Sequence, residues 1–331
     1  MKRRALVTGA TGQDGSYMVE HLLTKDYTVY ALVRRNSRAT LGRLQGLERD
    51  VEIILGDLLD TSSLRHAMKL ADPDEIYHFA SQSHVGLSFT EPLHTAEVTG
   101  LGAVRVFETA LHHCRPGVRV YQASSSEQYG NPSESPQTEL TPFRPISPYG
   151  CAKTYAHHMA HLYRQASRLF IACGIAYNHE SPRRGEDFVT RKITKAVAAI
   201  KSGTQQTLTL GTLSAMRDWS HAKDIVHGAW LSLQAPEPKD YIFASGRSWS
   251  VEEFAQAAFN VVGLKASDYV ISDPALFRPT EVSRLCGDSG RAQQQLGWKP
   301  QVTFQQLVEE MVHHDLDLIK ALRPHSEPVA P

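Results

Sequence analysis

Short apolar runs alternate with stretches of helical period along the first half of the chain. R-A-L-V-T-G at 4–9 is apolar and ends in glycine, which predicts a buried parallel strand. After it, Tyr17, Met18, His21, Leu22 and Leu23 make one stripe of an amphipathic helix. The pattern recurs, with strands at 28–33, 51–57, 75–80 and 118–124 and helices at 62–69 and 95–113. Such repetition predicts an α/β fold on a doubly wound parallel sheet of Rossmann type, legible to about residue 175.

After I-A-C-G-I-A-Y-N at 171–178 the chain turns irregular and rich in Pro, Arg and Gly. Amphipathic segments at 190–202, 221–234, 250–263 and 303–321, with short strands near 207–210 and 241–244, predict a smaller, mixed α/β C-terminal substrate region. The expected division is 1–177 for the sheet, with segments such as 213–235 returning to it, 178–322 for the substrate region, and a frayed tail at 323–331.

Composition narrows the classes without naming one. With 41% hydrophobic and 21% charged residues the 331-residue chain is of ordinary globular type. The 35 basic and 35 acidic residues balance, which argues against any general attraction to nucleic acid or an anionic membrane. No run approaches the ~20 apolar residues of a membrane span. The start, M-K-R-R-A-L-V-T-G, enters a strand without a signal-type apolar run. Cys114, Cys151, Cys173 and Cys286 lack metal-ligand spacing, so reduced thiols in a cytoplasmic protein are expected.

Three motifs carry chemistry. Gly9, Gly12 and Gly15 stand between the first strand and first helix, where glycine admits a dinucleotide pyrophosphate at a helix N-terminus. An acidic residue ending the second strand would select NAD; here Arg34, Arg35, Asn36 and Ser37 suit a 2′-phosphate, so NADP is expected. The plainer alternative makes Arg34 and Arg35 solvated loop charges. Asp57 either contacts adenine or caps a helix. Tyr149 and Lys153 lie one helical turn apart, so a nearby ammonium is expected to lower the phenol's pKa towards that of a general base. Ser125 and Glu127, two residues apart at a strand end, add a hydroxyl and a carboxylate on one side. A core tyrosine, a solvated lysine and a capping carboxylate are the plainer alternatives. Base, hydroxyl and carboxylate together suit oxidation followed by elimination. His157 and His161 sit four apart, and His112–His113 and His313–His314 are doublets. None has a third ligand at suitable spacing, so surface or interface histidines, and no metal, are expected.

G-x-x-G-x-x-G with Y-x-x-x-K resembles the extended short-chain dehydrogenase/reductase superfamily. The string N-H-E-S-P-R-R-G-E-D-F-V-T-R-K-I-T at 178–194, with T-G-A-T-G-Q-D-G, S-Q-S-H-V and R-D-W, closely resembles the GDP-mannose 4,6-dehydratase family within it, from Arg4 to about Trp298. The resemblance implies Tyr149 as base for the C4 hydroxyl, tuned by Lys153, with Glu127 moving the C5 proton and Ser125 binding the C4 oxygen. It implies cofactor contacts at Gly9, Thr11, Gly12, Gln13, Asp14, Gly15, Arg34, Arg35, Ser37, Asp57, Leu58, Ala80, Gln82, Tyr149, Lys153, His179 and Arg184. A GDP-sugar would meet Ser83, Ser88, Asn178, Val189, Lys192, Arg217, Arg278 and Glu281. Arg217 could instead pair with Asp218 or Asp224. Four positions depart from the family pattern: Ser125 for threonine, Gln128 for an apolar residue, Ser81 for alanine and Thr99 for an acidic residue. A homodimer or homotetramer is implied, with the Arg34–Arg43 loop at the interface. Dehydration of another GDP-sugar, epimerase or 4-keto reductase activity, and a non-catalytic sensor stay open as alternatives.

Overall fold

The computed structural model describes residues 2–35, 41–277, 280, 282 and 284–322. Ser37, Arg278, Glu281 and the tail at 323–331 lie outside them, as does much of the Arg34–Arg43 loop.

Six strands precede residue 177: β1 (Arg4–Thr8), β2 (Thr28–Val33), β3 (Glu52–Leu55), β4 (Glu75–His78), β5 (Arg119–Ser125) and β6 (Phe170–Ala176). Their central residues are apolar and buried because helices cover both faces of the sheet, while β3, at its edge, is exposed at Glu52 and Leu55. Three short strands follow outside this sheet, β7 (Asn178–Glu180), β8 (Leu208–Leu210) and β9 (Met216–His221). The chain then returns as β10 (Asp240–Phe243), which pairs parallel with β6. The central sheet is seven-stranded in the order β10-β6-β5-β4-β1-β2-β3. Its seventh strand is the segment expected near 241–244 among the C-terminal elements, a placement set by pairing with β6 rather than by anything in D-Y-I-F itself.

Helix α1 (Gln13–Thr24) joins β1 to β2 and α2 (Thr61–Ala71) joins β3 to β4, and α2 is capped by Asp60, whose carboxylate accepts from Ser62 N. The expected long helix at 95–113 is interrupted. Helices α3 (Val85–Thr90) and α4 (Pro92–Thr95) lead through a π-helical turn at Ala96–Leu101 into α5 (Gly102–His113). Helix α6 (Pro148–Ala166) packs over β5 and β6 with α2 and α5 on the same face. The opposite face is covered by α1 and, after α7 (Val189–Lys201), by α8 (Ala222–Gln234), so α8 belongs to the sheet's core although it follows β9.

β9 joins β7 and β11 (Ser248–Ser250) in a mixed three-stranded sheet, and β12 (Val270–Ser272) pairs with β8. A separate apolar core gathers α7, α9 (Val251–Val261) and α11 (Phe304–Leu322) around Trp219, Phe254 and Phe259. The short α10 (Gly290–Leu296) precedes Trp298, which is fully buried in the core of the central sheet. Among the described residues no helix is long and apolar enough to cross a membrane.

Candidate active site

One cavity of about 720 Å³ opens at the carboxyl ends of the parallel strands, where the order reverses between β1 and β4. Gly9 follows β1 at φ +70°, and a Cβ there would stand 2.7 Å from Ala80 N. A Cβ on Gly15 would collide with the Gly9 carbonyl oxygen. Both positions therefore need glycine for the backbone to fold this tightly. Gly12 caps α1 without a side-chain bond, so the first turn keeps its N–H groups and partial positive charge for a ligand. Thr11, Gln13 and Asp14 border the cavity beside it, with Arg34, Asp57, Leu58, Ala80 and Ser83 further along. Arg35 is exposed and does not line it. Asp57 is no helix cap; its carboxylate accepts from Leu59 N in a tight turn.

Two expected contacts lie elsewhere. Gln82 gives its amide N–H to Thr95 Oγ1 and His84 O, while Oε1 accepts from His84 N. Thr99 bonds the Gln82 backbone N–H and C=O at 3.1 Å each. Ser88 is fully buried and donates to Val85 O within α3. Neither Gln82 nor Ser88 borders the cavity.

His179, on β7, joins the two regions beside the glycine turn. Its Nδ1 lies 2.7 Å from Tyr177 O and its Nε2 lies 2.9 Å from Asp14 Oδ2. Two acceptors require two N–H donors, so the ring is an imidazolium. Burial raises the Asp14 pKa, but the His179 charge and hydrogen bond outweigh it and hold the carboxyl at about 2. Burial opposes the His179 charge, and Asp14 nonetheless shifts that ring upwards. Gln13 braces the same junction by donating to His179 O. Arg184 lines the cavity, ion-paired to Glu180 and lying 3.5 Å over the Phe188 ring.

The proton-handling groups meet at the end of β5. Ser125 is the last residue of the strand, and Glu127 stands on the 3-10 turn Ser126–Gln128. Glu127 is thus aimed by the turn and not by the strand's alternation. Ser147 caps α6 through Gly150 N, which fixes the first turn carrying Tyr149. Lys153, one turn on, donates to Ala123 O at 2.8 Å, and its Nζ lies 5.7 Å from the centre of the Tyr149 ring. Ser125, Glu127, Tyr149 and Lys153 all border the cavity, and all are buried. The expected lowering of the phenol is reversed here: burial pushes Tyr149 well up, and a hydrogen bond with Ser125 only partly offsets it. Burial also lowers the Lys153 ammonium to about 8.

Gln128, fully buried, ties these parts together. Its Oε1 accepts from Ser125 N at 2.9 Å and its Nε2 donates to Lys153 O at 3.2 Å. One side chain therefore joins the Ser125 turn to the helix bearing Tyr149 and Lys153.

Residues 6–311 match the family described as GDP-mannose 4,6 dehydratase. A GDP-mannose 4,6 dehydratase of Arabidopsis thaliana is 47% identical over 330 residues, covering 96% of this chain and 91% of its own. The chain belongs to the GDP-mannose 4,6-dehydratase family. A Vibrio cholerae GDP-mannose 4,6-dehydratase is 40% identical over the full length of both chains. Among solved structures, a dTDP-glucose 4,6-dehydratase of Streptomyces venezuelae with NAD bound superposes at TM-score 0.82, with 26% identity over 94% of this chain and 96% of its own. The chain is a nucleotide-sugar 4,6-dehydratase, a hydro-lyase.

The far end of the dehydratase cavity is lined by Asn178, Val189, Lys192 and Arg217. Arg217 donates to the Val282 and Met216 carbonyls, while Asp218 accepts from Ser245, Gly246 and Gly287, and Asp224 from Gln301 and Val302. Sequence reasoning misses Leu210–Thr212, Phe188 and Trp219, which complete this wall. Apolar residues in short strands and ahead of helices look like core, and only the fold turns them towards the cavity. It also misses Arg43, whose Nη1 donates to Thr11 O on the glycine turn.

The histidine pair on α6 departs from expectation as well. His157 is buried, and Asp240, from β10, supplies the third group near His157 and His161 that spacing alone does not reveal. The doublets His112–His113 and His313–His314 are exposed, as expected.

Proposed function

We propose that the chain converts GDP-mannose to GDP-4-keto-6-deoxymannose with a retained NADP. The observation that carries this is Glu127 on the same cavity as Ser125, Tyr149 and Lys153. A reductase or epimerase needs a base and a hydroxyl, whereas elimination of water also needs an acid/base for C5 and O6.

The cavity fits a dinucleotide. The glycine turn that no Cβ can enter and the uncapped α1 N-terminus would hold the pyrophosphate, with Asp14, His179 and Lys153 beyond it. Arg34, on the same wall and without a carboxylate at its position, favours the 2′-phosphate of NADP over the free hydroxyl of NAD. When bound, the nicotinamide supplies the hydride acceptor for C4 and the donor for C6, so no external reductant is consumed.

The side chains move the protons. Tyr149 takes the O4 proton while Ser125 holds that oxygen. The resulting ketone acidifies C5–H; Glu127 removes it and protonates O6, which leaves as water. Tyr149 then releases to C5 the proton taken from O4, and atoms balance: one water leaves and C6 becomes a methyl. Lys153 stands beside the phenol, where its positive charge would work against the burial that raises Tyr149. Arg217 and Lys192 would meet the diphosphate.

The test uses the protein as purified with GDP-mannose and no added reductant. Mass spectrometry is expected to show loss of one water and, after denaturation, release of NADP. Glu127→Gln is expected to abolish water loss while cofactor reduction persists. Normal dehydration by that variant would refute the role of Glu127. Water loss only from another GDP-sugar would overturn the choice of mannose.

A further inference from the structure

Outside the catalytic cavity, α6 and β10 bring together three groups that the dehydration does not use. His157 and His161 stand one turn apart on α6, their ring centres 4.8 Å from one another. Both turn Nε2 towards one oxygen of Asp240, the first residue of β10. Oδ2 lies 2.6 Å from His161 and 3.6 Å from His157. The three donor atoms all fall within 4.8 Å of one another.

The surroundings orient these groups as an outer shell orients metal ligands. His157 Nδ1 lies 2.8 Å from Ser124 Oγ, which fixes the ring and leaves Nε2 facing Asp240. The other Asp240 oxygen accepts from Arg164 Nη2 at 2.9 Å, so Oδ2 is the one left to the histidines. His157 is almost fully buried, whereas the His161 side chain is 39% exposed. A cation could therefore enter past His161 and keep a water on that side.

We propose that His157, His161 and Asp240 form a Zn2+ site that clamps α6, the helix bearing Tyr149 and Lys153, to β10. Two imidazoles and one carboxylate suit this borderline cation, with water as the fourth ligand. Ligand atoms about 2.1 Å from a tetrahedral ion stand about 3.4 Å apart. The His157–Asp240 distance already matches that spacing, and the His161–Asp240 pair opens by less than about 1 Å, within reach of a part-exposed side chain. The Arg164 charge on the far oxygen weakens the site without occupying the coordinating one.

The probe is the metal alone, added to chelator-treated full-length protein. One equivalent of Zn2+ per chain is expected by competition with a chromogenic chelator, and Co2+ in its place should give the intense visible bands of tetrahedral coordination. Loss of outer-shell partners costs about 10- to 100-fold in affinity, so loss of a ligand in His161→Ala should cost at least 100-fold. His161 is part-exposed, so this variant is expected to fold, which circular dichroism checks. His112→Ala, on the exposed doublet, should bind as the parent does. Failure of the parent to take up Zn2+ would overturn the proposal. So would parental affinity in His161→Ala, or a weak octahedral Co2+ spectrum.

Discussion

Gln128→Met isolates the tie between the two halves of the proton-handling set. Methionine keeps the length of glutamine and suits an interior, so the variant removes hydrogen bonds more than volume. Ser125 N loses an acceptor 2.9 Å away in a fully buried setting, and a buried unpaired donor costs about 1–3 kcal/mol. Lys153 O loses less, because as a carbonyl inside α6 it also accepts within the helix. The gain from burying a thioether offsets part of this, leaving a net loss of about 1–2 kcal/mol. In calorimetry that amounts to a fall in Tm of a few degrees. Catalysis should fall separately, because Ser125 is no longer held against the helix that carries Tyr149. A positioning loss of about 1.4 kcal/mol is tenfold in rate, so kcat for GDP-mannose should drop about 10-fold with KM nearly unchanged. Steady-state kinetics beside the thermal scan reads both. A fall in Tm with kcat intact would make Gln128 structural only and refute the positioning role. A raised KM with unchanged kcat would refute it too, by placing the residue on the substrate wall.

The Asp14–His179 pair gives a pH signature. Asp14 titrates at about 2 in the fold against about 3.9 unfolded, so its contribution of about 2 kcal/mol is present above pH 4 and lost as pH falls towards 2. His179, shifted upwards, contributes fully below its ordinary value and loses that as pH rises through its folded one. The interaction is shared by the two groups and counted once. Urea unfolding of Asp14→Asn should therefore show a deficit of about 2 kcal/mol near pH 6 that closes on acidification; a deficit independent of pH would refute the pairing. Gly15→Ala is expected to lose dinucleotide binding, because its Cβ collides with the Gly9 carbonyl and opens the turn. Fluorescence titration with NADPH reads this, and parental affinity would show that the turn does not cradle the cofactor.

Strands β1 to β5 were legible because the middle of a parallel strand between two helical layers is apolar, and the glycine turn because it stands directly between the first strand and the first helix. Ser125, Glu127, Tyr149 and Lys153 were legible as residue types at local spacings. Their electrostatics were not, since the rise in Tyr149 comes from burial by elements distant in sequence. Gln82 and Ser88 looked available but are spent on their own loop and helix. Asp240 could not be joined to His157 and His161 from spacing, because only the pairing of β10 with β6 brings it there. The wall at Leu210–Thr212 failed for the same reason: short apolar strands carry no mark of what they face.

The return of the chain as β10 bears on how the protein is made and how it can be cut. β6 leaves the ribosome long before its neighbour, with F-I-A-C-G-I-A presenting an open row of N–H and C=O groups on one side. Until residue 243 emerges, that side is an apolar, unpaired edge of the kind that recruits other chains. α8, which covers one face of the same sheet, arrives only just before β10. A fragment ending near residue 177 would hold every strand from β1 to β6 and still be prone to aggregate. Only the later half supplies the strand that covers that edge.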